Sequence, residues 1–195
     1  MRYFLLFITF LVFVSGCGSK PSLELISASV ALNNDEERLG SIGITSGERK
    51  GESIVPIALS YDIILKNTGS KQLGNMEKIN REEFKYDDGI EVYLEPSAGL
   101  KEMSIEIIGV NIYGPDALGA GQTHEPILEP NQEGEYIFDF DLGALEENPD
   151  LQLAPPMEEL EKLADHALDV DLVVIIEGEE IARFDLGEAE EAQGE

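Results

Sequence analysis

Two pairs of aspartates in this sequence have a spacing that could place metal ligands together. Asp139 and Asp141 are two residues apart, and so are Asp169 and Asp171. Side chains at positions i and i+2 of a β-strand point to the same face of the sheet. If the two strands were neighbours, four carboxylates would repel one another on one patch, and a Ca²⁺ ion, which takes about six to eight oxygen ligands, would relieve that repulsion. A solvated acidic face with no metal is the competing interpretation.

The other residues with catalytic potential form no recognised pattern. His124 lies in a predicted loop and His166 lies near the end of a predicted helix, and the chain contains a single cysteine. Two separated histidines make a poor zinc site, and no serine lies in a G-x-S-x-G elbow. We therefore expect a non-enzymatic binding or positioning module without a cofactor. A Ca²⁺-dependent binding module and a hydrolase with an unrecognised site are the alternatives.

The first residues have the pattern of a secretory signal. Arg2 is followed by an apolar run of 11 residues, FLLFITFLVFV, at positions 4–14. This run fits the apolar region of a signal peptide, and it is shorter than the roughly 20 residues of a membrane-spanning helix. The run closes on Val14-Ser15-Gly16-Cys17, which resembles the lipobox of bacterial lipoproteins. The resemblance implies that the chain is cleaved before Cys17 and that Cys17 carries the lipid.

The charge of the chain limits what it can bind. It has 13 basic and 40 acidic residues, for a formal net charge of −27. Nucleic acid is excluded as a partner, because binding it depends on lysine and arginine neutralising phosphates. Anionic lipid headgroups would also repel such a domain. We therefore expect the lipid at Cys17 to hold the protein on the extracellular face of the cell membrane, where its partner is another envelope or extracellular protein.

Alternating apolar and polar residues predict β-strands along most of the remaining chain, because alternation is typical of a strand that buries one face. Phe140 falls on the predicted core face of its strand. In one segment the alternation shifts phase beside Gly109, which predicts a β-bulge. The predicted strands cover residues 26–32, 59–65, 90–94, 103–113, 136–142, 168–176 and 181–186.

One segment has helical spacing instead. Apolar residues recur at helical intervals from Met157 to Ala167, directly after Pro155-Pro156. Proline is tolerated in the first turn of a helix, and the glutamates that follow suit the positive end of the helix dipole. The pattern predicts a helix of about three turns crossing between two strands.

About seven short strands with one crossing helix predict an all-β fold, a β-sandwich. Residues 61–74, YDIILKNTGSKQLG, resemble strand-and-turn segments of immunoglobulin-like domains in small surface lipoproteins of Gram-positive bacteria. That resemblance implies an immunoglobulin-like fold, and a fold of this kind implies no particular activity. The predicted organisation is a signal peptide at 1–16, a lipidated cysteine and short tether at 17–22, a single β-sandwich domain at 23–187 and an acidic, disordered tail at 188–195.

Overall fold

The computed structural model describes residues 22–81 and 85–188. The predicted signal peptide and Cys17 lie outside the described residues, as does the predicted tail apart from Glu188. Among the described residues, no helix has the length and apolar character needed to cross a membrane. In chain order the elements are β1 (Leu23–Asn33), α1 (Glu36–Leu39), β2 (Ile42–Gly43), β3 (Ser53–Ile54), β4 (Ile57–Asn67), β5 (Ile79–Asn80), β6 (Lys85–Tyr86), β7 (Ile90–Pro96), α2 (Ala98–Ile108), β8 (Ala120–His124), β9 (Glu133–Gly143), α3 (Met157–Asp165), β10 (Val170–Ile176) and β11 (Glu179–Asp185).

Seven of these strands form two antiparallel sheets. The first sheet has the spatial order β1-β4-β9-β8, and the second has the order β11-β10-β7. Lettered A to G in chain order, the seven strands are β1, β4, β7, β8, β9, β10 and β11. In these letters the first sheet has the order A-B-E-D and the second has the order G-F-C. This is the ABED and CFG arrangement of a constant-type immunoglobulin domain. The predicted β-sandwich is confirmed, and its strand order is immunoglobulin-like.

The prediction of a strand over residues 103–113 is wrong, because most of that segment belongs to helix α2. Ser97 caps the helix by accepting a hydrogen bond from a backbone amide three residues further on, at 3.1 Å. Gly109 ends the helix with a left-handed backbone, at a φ of 92°. The phase shift beside Gly109 is therefore a helix C-cap and not a β-bulge. The buried side chains recur every four residues, as helical packing requires: Leu100, Ser104 and Ile108.

The sequence predicts one helix between strands, whereas the described residues contain three helices in such positions. The predicted one is α3, where Leu160 and Leu163 are buried. The other two lie in connections between strands of the sandwich: α1 joins β1 to the short hairpin β2–β3, and α2 follows β7. The connections are thus long and structured, which alternation of residues alone does not reveal.

Two tyrosines and a phenylalanine fill the middle of the core. The Tyr61 hydroxyl donates a hydrogen bond to the Ala167 carbonyl at 2.7 Å and lies 2.6 Å from the Tyr113 hydroxyl. Burial raises the pKa of Tyr113 well above its ordinary value. Phe140 is buried between both rings, with centroids 6.0 Å from Tyr61 and 4.9 Å from Tyr113. Phe140 therefore lies on the core face, as its sequence position predicts.

One side of the sandwich is closed where the edges of the two sheets meet. The side-chain amide of Gln122, on β8, donates to the Val92 carbonyl of β7 at 2.9 Å. The amide of Ile90, also on β7, donates to the Pro126 carbonyl at 2.9 Å. These bonds use polar backbone groups that an edge strand otherwise leaves unpaired.

The strand registers define two ends of the sandwich. Leu23, the first residue of β1, pairs with Asn67, the last residue of β4. Directly before β1, the Ser22 hydroxyl lies 2.7 Å from the Thr68 hydroxyl, and the Thr68 amide donates to the Ser22 carbonyl at 2.8 Å. We call this the entry end, because the chain enters the sandwich there.

The opposite end of the sandwich, the far end, carries three connections. Strand β8 runs from the far end to the entry end, since His124 pairs with Tyr136 near the start of β9. The bond between Ile90 and Pro126 then places the start of β7 at the entry end and Pro96 at the far end. The connections at the far end are residues 34–56, 97–119 and 144–169.

Candidate functional site

The four aspartates with metal-site spacing do not meet. Asp139 and Asp141 lie on β9, between β4 and β8 in the first sheet. Asp171 lies on β10, between β7 and β11 in the second sheet, and Asp169 directly precedes that strand. The assumption that the two strands are neighbours is therefore wrong, and the four carboxylates form two separate groups.

The first group is held by an arginine from the connection after β1. Arg38, on α1, bonds the Asp139 carboxylate through Nε at 2.8 Å and the Asp62 carboxylate through Nη1 at 3.0 Å. The Ser60 hydroxyl donates to the same Asp139 oxygen at 2.5 Å. The side chains of Arg38 and Asp139 are 23% and 14% exposed. This arginine fastens α1 over the outer face of the first sheet.

Asp141 lies beside that ion pair without sharing it. Its carboxylate is close to Gly119, where a Cβ atom would overlap one of the carboxylate oxygens. Partial burial raises the pKa of Asp141 above its ordinary value, and the neighbouring Asp139 raises it further. The fold therefore disfavours the charged form of Asp141.

The second group borders a cleft at the far end, where β7 ends, β10 begins and β11 ends. The cleft has a volume of about 430 Å³. Arg183 reaches across β10 from β11 and bonds Glu95 and, at 2.9 Å, Asp171. It also bonds Glu180 at 2.9 Å. Four acidic residues line the cleft: Glu95, Asp169, Asp171 and Asp185. Ser97, the N-cap of α2, lines it as well.

The two histidines have separate positions and separate contacts. His124 is the last residue of β8, rather than part of a loop, and its ring stacks on Tyr136 with centroids 6.4 Å apart. Burial lowers the pKa of His124. His166 is the C-cap of α3, and its Nδ1 lies 3.8 Å from an Asp169 carboxylate oxygen. The predicted position of His166 at a helix end is confirmed.

Within residues 22–81 and 85–188, no group of three or more histidine, cysteine, aspartate or glutamate side chains has a geometry that could hold a metal ion. The candidate lipid site, Cys17, lies outside that part of the chain. The candidate features that the structure does bring together lie at the far end: the acidic cleft and the three connections between strands.

Sequence reasoning missed the two arginines that organise the acidic groups. Arg38 contacts Asp62 and Asp139, which are 24 and 101 residues away along the chain, so no local spacing signals either pair. Arg183 and its partner Glu180 are three residues apart on β11, and residues at that spacing point to opposite faces of a regular strand. A register shift in the pairing of β10 with β11 lies between them, and the sequence does not signal it.

In comparisons with known proteins, no family model matches the chain, and no curated protein and no solved structure matches it either.

Proposed function

We propose that this chain is a bacterial lipoprotein, anchored by lipid at Cys17 to the extracellular face of the cell membrane, whose immunoglobulin-like domain binds or positions another envelope or extracellular protein without catalysing a reaction. The run Val14-Ser15-Gly16-Cys17 at the end of the apolar segment supports the anchor, and Cys17 is the only cysteine of the chain. A lone cysteine at that position has no disulfide partner within the chain.

The geometry of the entry end is the observation that carries the proposal. Four residues separate Cys17 from Ser22, and Ser22 is already bonded to Thr68. A tether of that length reaches at most about 17 Å. A lipid at Cys17 would therefore hold the entry end against the membrane, and the far end would face outward.

Charge supports a lipid anchor over direct adsorption to the membrane. With a net charge of −27, the protein is repelled by anionic headgroups rather than attracted to them. The arrangement at the far end favours binding, because two residues that line its cleft, Glu95 and Asp171, are both bonded by Arg183. These charged groups hold one another in place, which suits a fixed recognition surface.

Intact-mass measurement of the protein made in a lipoprotein-processing bacterium tests the anchor. We expect a chain that begins at Cys17 with added acyl mass and that partitions into the detergent phase. Cys17→Ser should abolish the added mass and the partitioning, because serine has no thiol to acylate. Ser19→Ala, two residues away, is the matched control and should be lipidated normally. A mature chain that starts elsewhere and carries no lipid would contradict the proposal.

A further inference from the structure

A second, smaller core at the far end joins two connections of the sandwich into one unit. Ile44 and Ile54, from the 34–56 connection, are buried against Ala144, which directly follows β9, and Leu151 packs on the same cluster. The Ala144 amide donates to the backbone of the following loop at 2.8 Å. We call residues 34–56 and 144–153 together the far-end unit.

Polar contacts fix the two segments of the far-end unit against each other. The Thr45 hydroxyl donates to the Asp150 carboxylate at 2.6 Å, and the Thr45 amide donates to the other carboxylate oxygen at 3.0 Å. Arg49 bonds Glu146 at 2.8 Å and Glu52 at 2.7 Å. The surface of the unit is therefore positioned by contacts of its own, in addition to the bonds of Arg38 to the sheet.

The far-end unit exposes apolar side chains around a shallow concavity. Leu145 is 45% exposed and borders a hollow of about 260 Å³ that Ile54 and Val55 also line. Ile42 is exposed as well, and it is the cross-strand partner of Ile54. Cross-strand partners have their side chains on the same face of a sheet, so Ile42 lies on the face of the hairpin from which Ile54 enters the small core.

Charge decides which kind of molecule can cover this apolar surface. The far-end unit contains eight acidic and three basic residues, which gives it a net charge of −5 within a chain of net charge −27. A second copy would bring a like charge against it, and like charges across an interface are unfavourable. Anionic headgroups would be repelled in the same way. The two charged residues that line the hollow itself, Arg49 and Glu146, pair with each other. The acidic excess of the unit therefore lies outside the hollow, and a basic rim on a partner protein would complement it.

We infer that the hollow bordered by Val55 and Leu145 docks a basic partner protein, which inserts an apolar side chain surrounded by lysine or arginine. This inference rests on the proposed binding function and adds to it the surface and the class of partner. Interfaces of this kind combine an apolar centre with a charged rim, so the apolar side chain supplies affinity and the rim supplies selectivity.

Three synthetic peptides can probe this surface on the full chain, with or without a lipid at Cys17. One alternates leucine and lysine, one alternates serine and lysine, and one alternates leucine and glutamate. We expect the leucine–lysine peptide to bind more tightly than the other two. Leu145→Ser should weaken its binding about tenfold, the loss that corresponds to one leucine-sized apolar contact. Ile79→Ser is the matched control, because Ile79 is 60% exposed on β5, in the connection between β4 and β7.

Equal effects of Leu145→Ser and Ile79→Ser on peptide affinity would overturn the inference. Equal binding of the leucine–glutamate peptide, or of the serine–lysine peptide, would overturn it as well, because docking would then lack either charge selectivity or an apolar contact. Both variants should keep the melting temperature of the parent, which shows that the fold is intact. The anchor is tested by mass at Cys17 and the docking surface by affinity, so either proposal can fail without the other.

Discussion

Replacing Arg38 with methionine removes the cation that links α1 to the first sheet while keeping most of the apolar stem of the side chain. The variant leaves Asp139 as a mostly buried carboxylate with the Ser60 hydroxyl as its remaining described partner. We expect the protein to be less stable, because a charge that has lost its counter-ion inside a fold keeps its desolvation cost.

The exposure of the two side chains sets the size of this effect. Breaking a buried ion pair costs about 3–5 kcal/mol, whereas an exposed pair contributes about 0–1 kcal/mol. Arg38 is 23% exposed and Asp139 is 14% exposed, which lies between these limits and nearer the buried one. We therefore expect a loss of about 2 kcal/mol in the free energy of unfolding, or about 4–8 °C in melting temperature for a domain of this size.

Urea denaturation followed by circular dichroism measures this loss. Arg49→Met is the matched control, because Arg49 is also an arginine with two carboxylate partners, but those partners, Glu52 and Glu146, are more than half exposed. It should cost no more than about 0.5 kcal/mol. In a double-mutant cycle, Arg38→Met and Asp139→Asn together should cost less than the sum of the two single losses. Strict additivity, or equal losses from Arg38→Met and Arg49→Met, would refute the reasoning.

Four further outcomes are expected. Phe140→Asp should lower the free energy of unfolding by more than about 4 kcal/mol, because it places a charge in the core against the buried ring of Tyr61; a variant that melts like the parent would contradict the packing described. Ser97→Ala should cost about 1 kcal/mol in urea denaturation, since it removes the N-cap of α2, and no loss would mean that the cap contributes nothing. Asp141→Asn should stabilise the protein at pH 7, by no more than about 1 kcal/mol because the group is partly exposed to solvent. A carboxyl whose pKa is raised on folding binds more protons in the folded state between its two pKa values, so stability falls as the pH rises through that interval. The advantage of asparagine should therefore shrink as the pH falls towards the ordinary value of 3.8, and an advantage that is constant with pH would contradict the assignment. Ca²⁺ and Mg²⁺ at matched ionic strength should raise the melting temperature equally by screening; a Ca²⁺-selective rise lost in the Asp139→Asn/Asp141→Asn variant would instead indicate a specific metal site.

Strands that bury one face were predictable, because each carries its own signal. Along β9, Tyr136, Phe138 and Phe140 alternate with more exposed residues, and this pattern determines both the strand and its core face. Helix α3 was equally predictable from its apolar spacing and its paired prolines. These features depend on residues close together in the sequence, which is why sequence reasoning finds them.

Helix α2 could not be identified by alternation. Met103, Ile105 and Ile107 occur at every second position of the sequence, as apolar residues of a strand do, although they lie on a helix. The signals that distinguish the two are the Ser97 cap and the four-residue recurrence of buried side chains. The spatial order of strands is a different kind of information. Nothing local shows that β9 lies between β4 and β8, so the grouping of the aspartates required the fold itself.

The pairing of β1 with β4 has a mechanical consequence for a protein held at one end. Strand β1 begins directly after Ser22 and forms ten paired positions with β4, running from the entry end to the far end. A pull between the tether and a partner at the far end would act along the strand axis. All ten pairs would then be sheared together instead of being unzipped one by one, and shear is the loading direction in which a hydrogen-bonded ladder yields most slowly. Because forced unfolding is governed by the unfolding rate, a chain anchored as proposed would unfold slowly under such a pull.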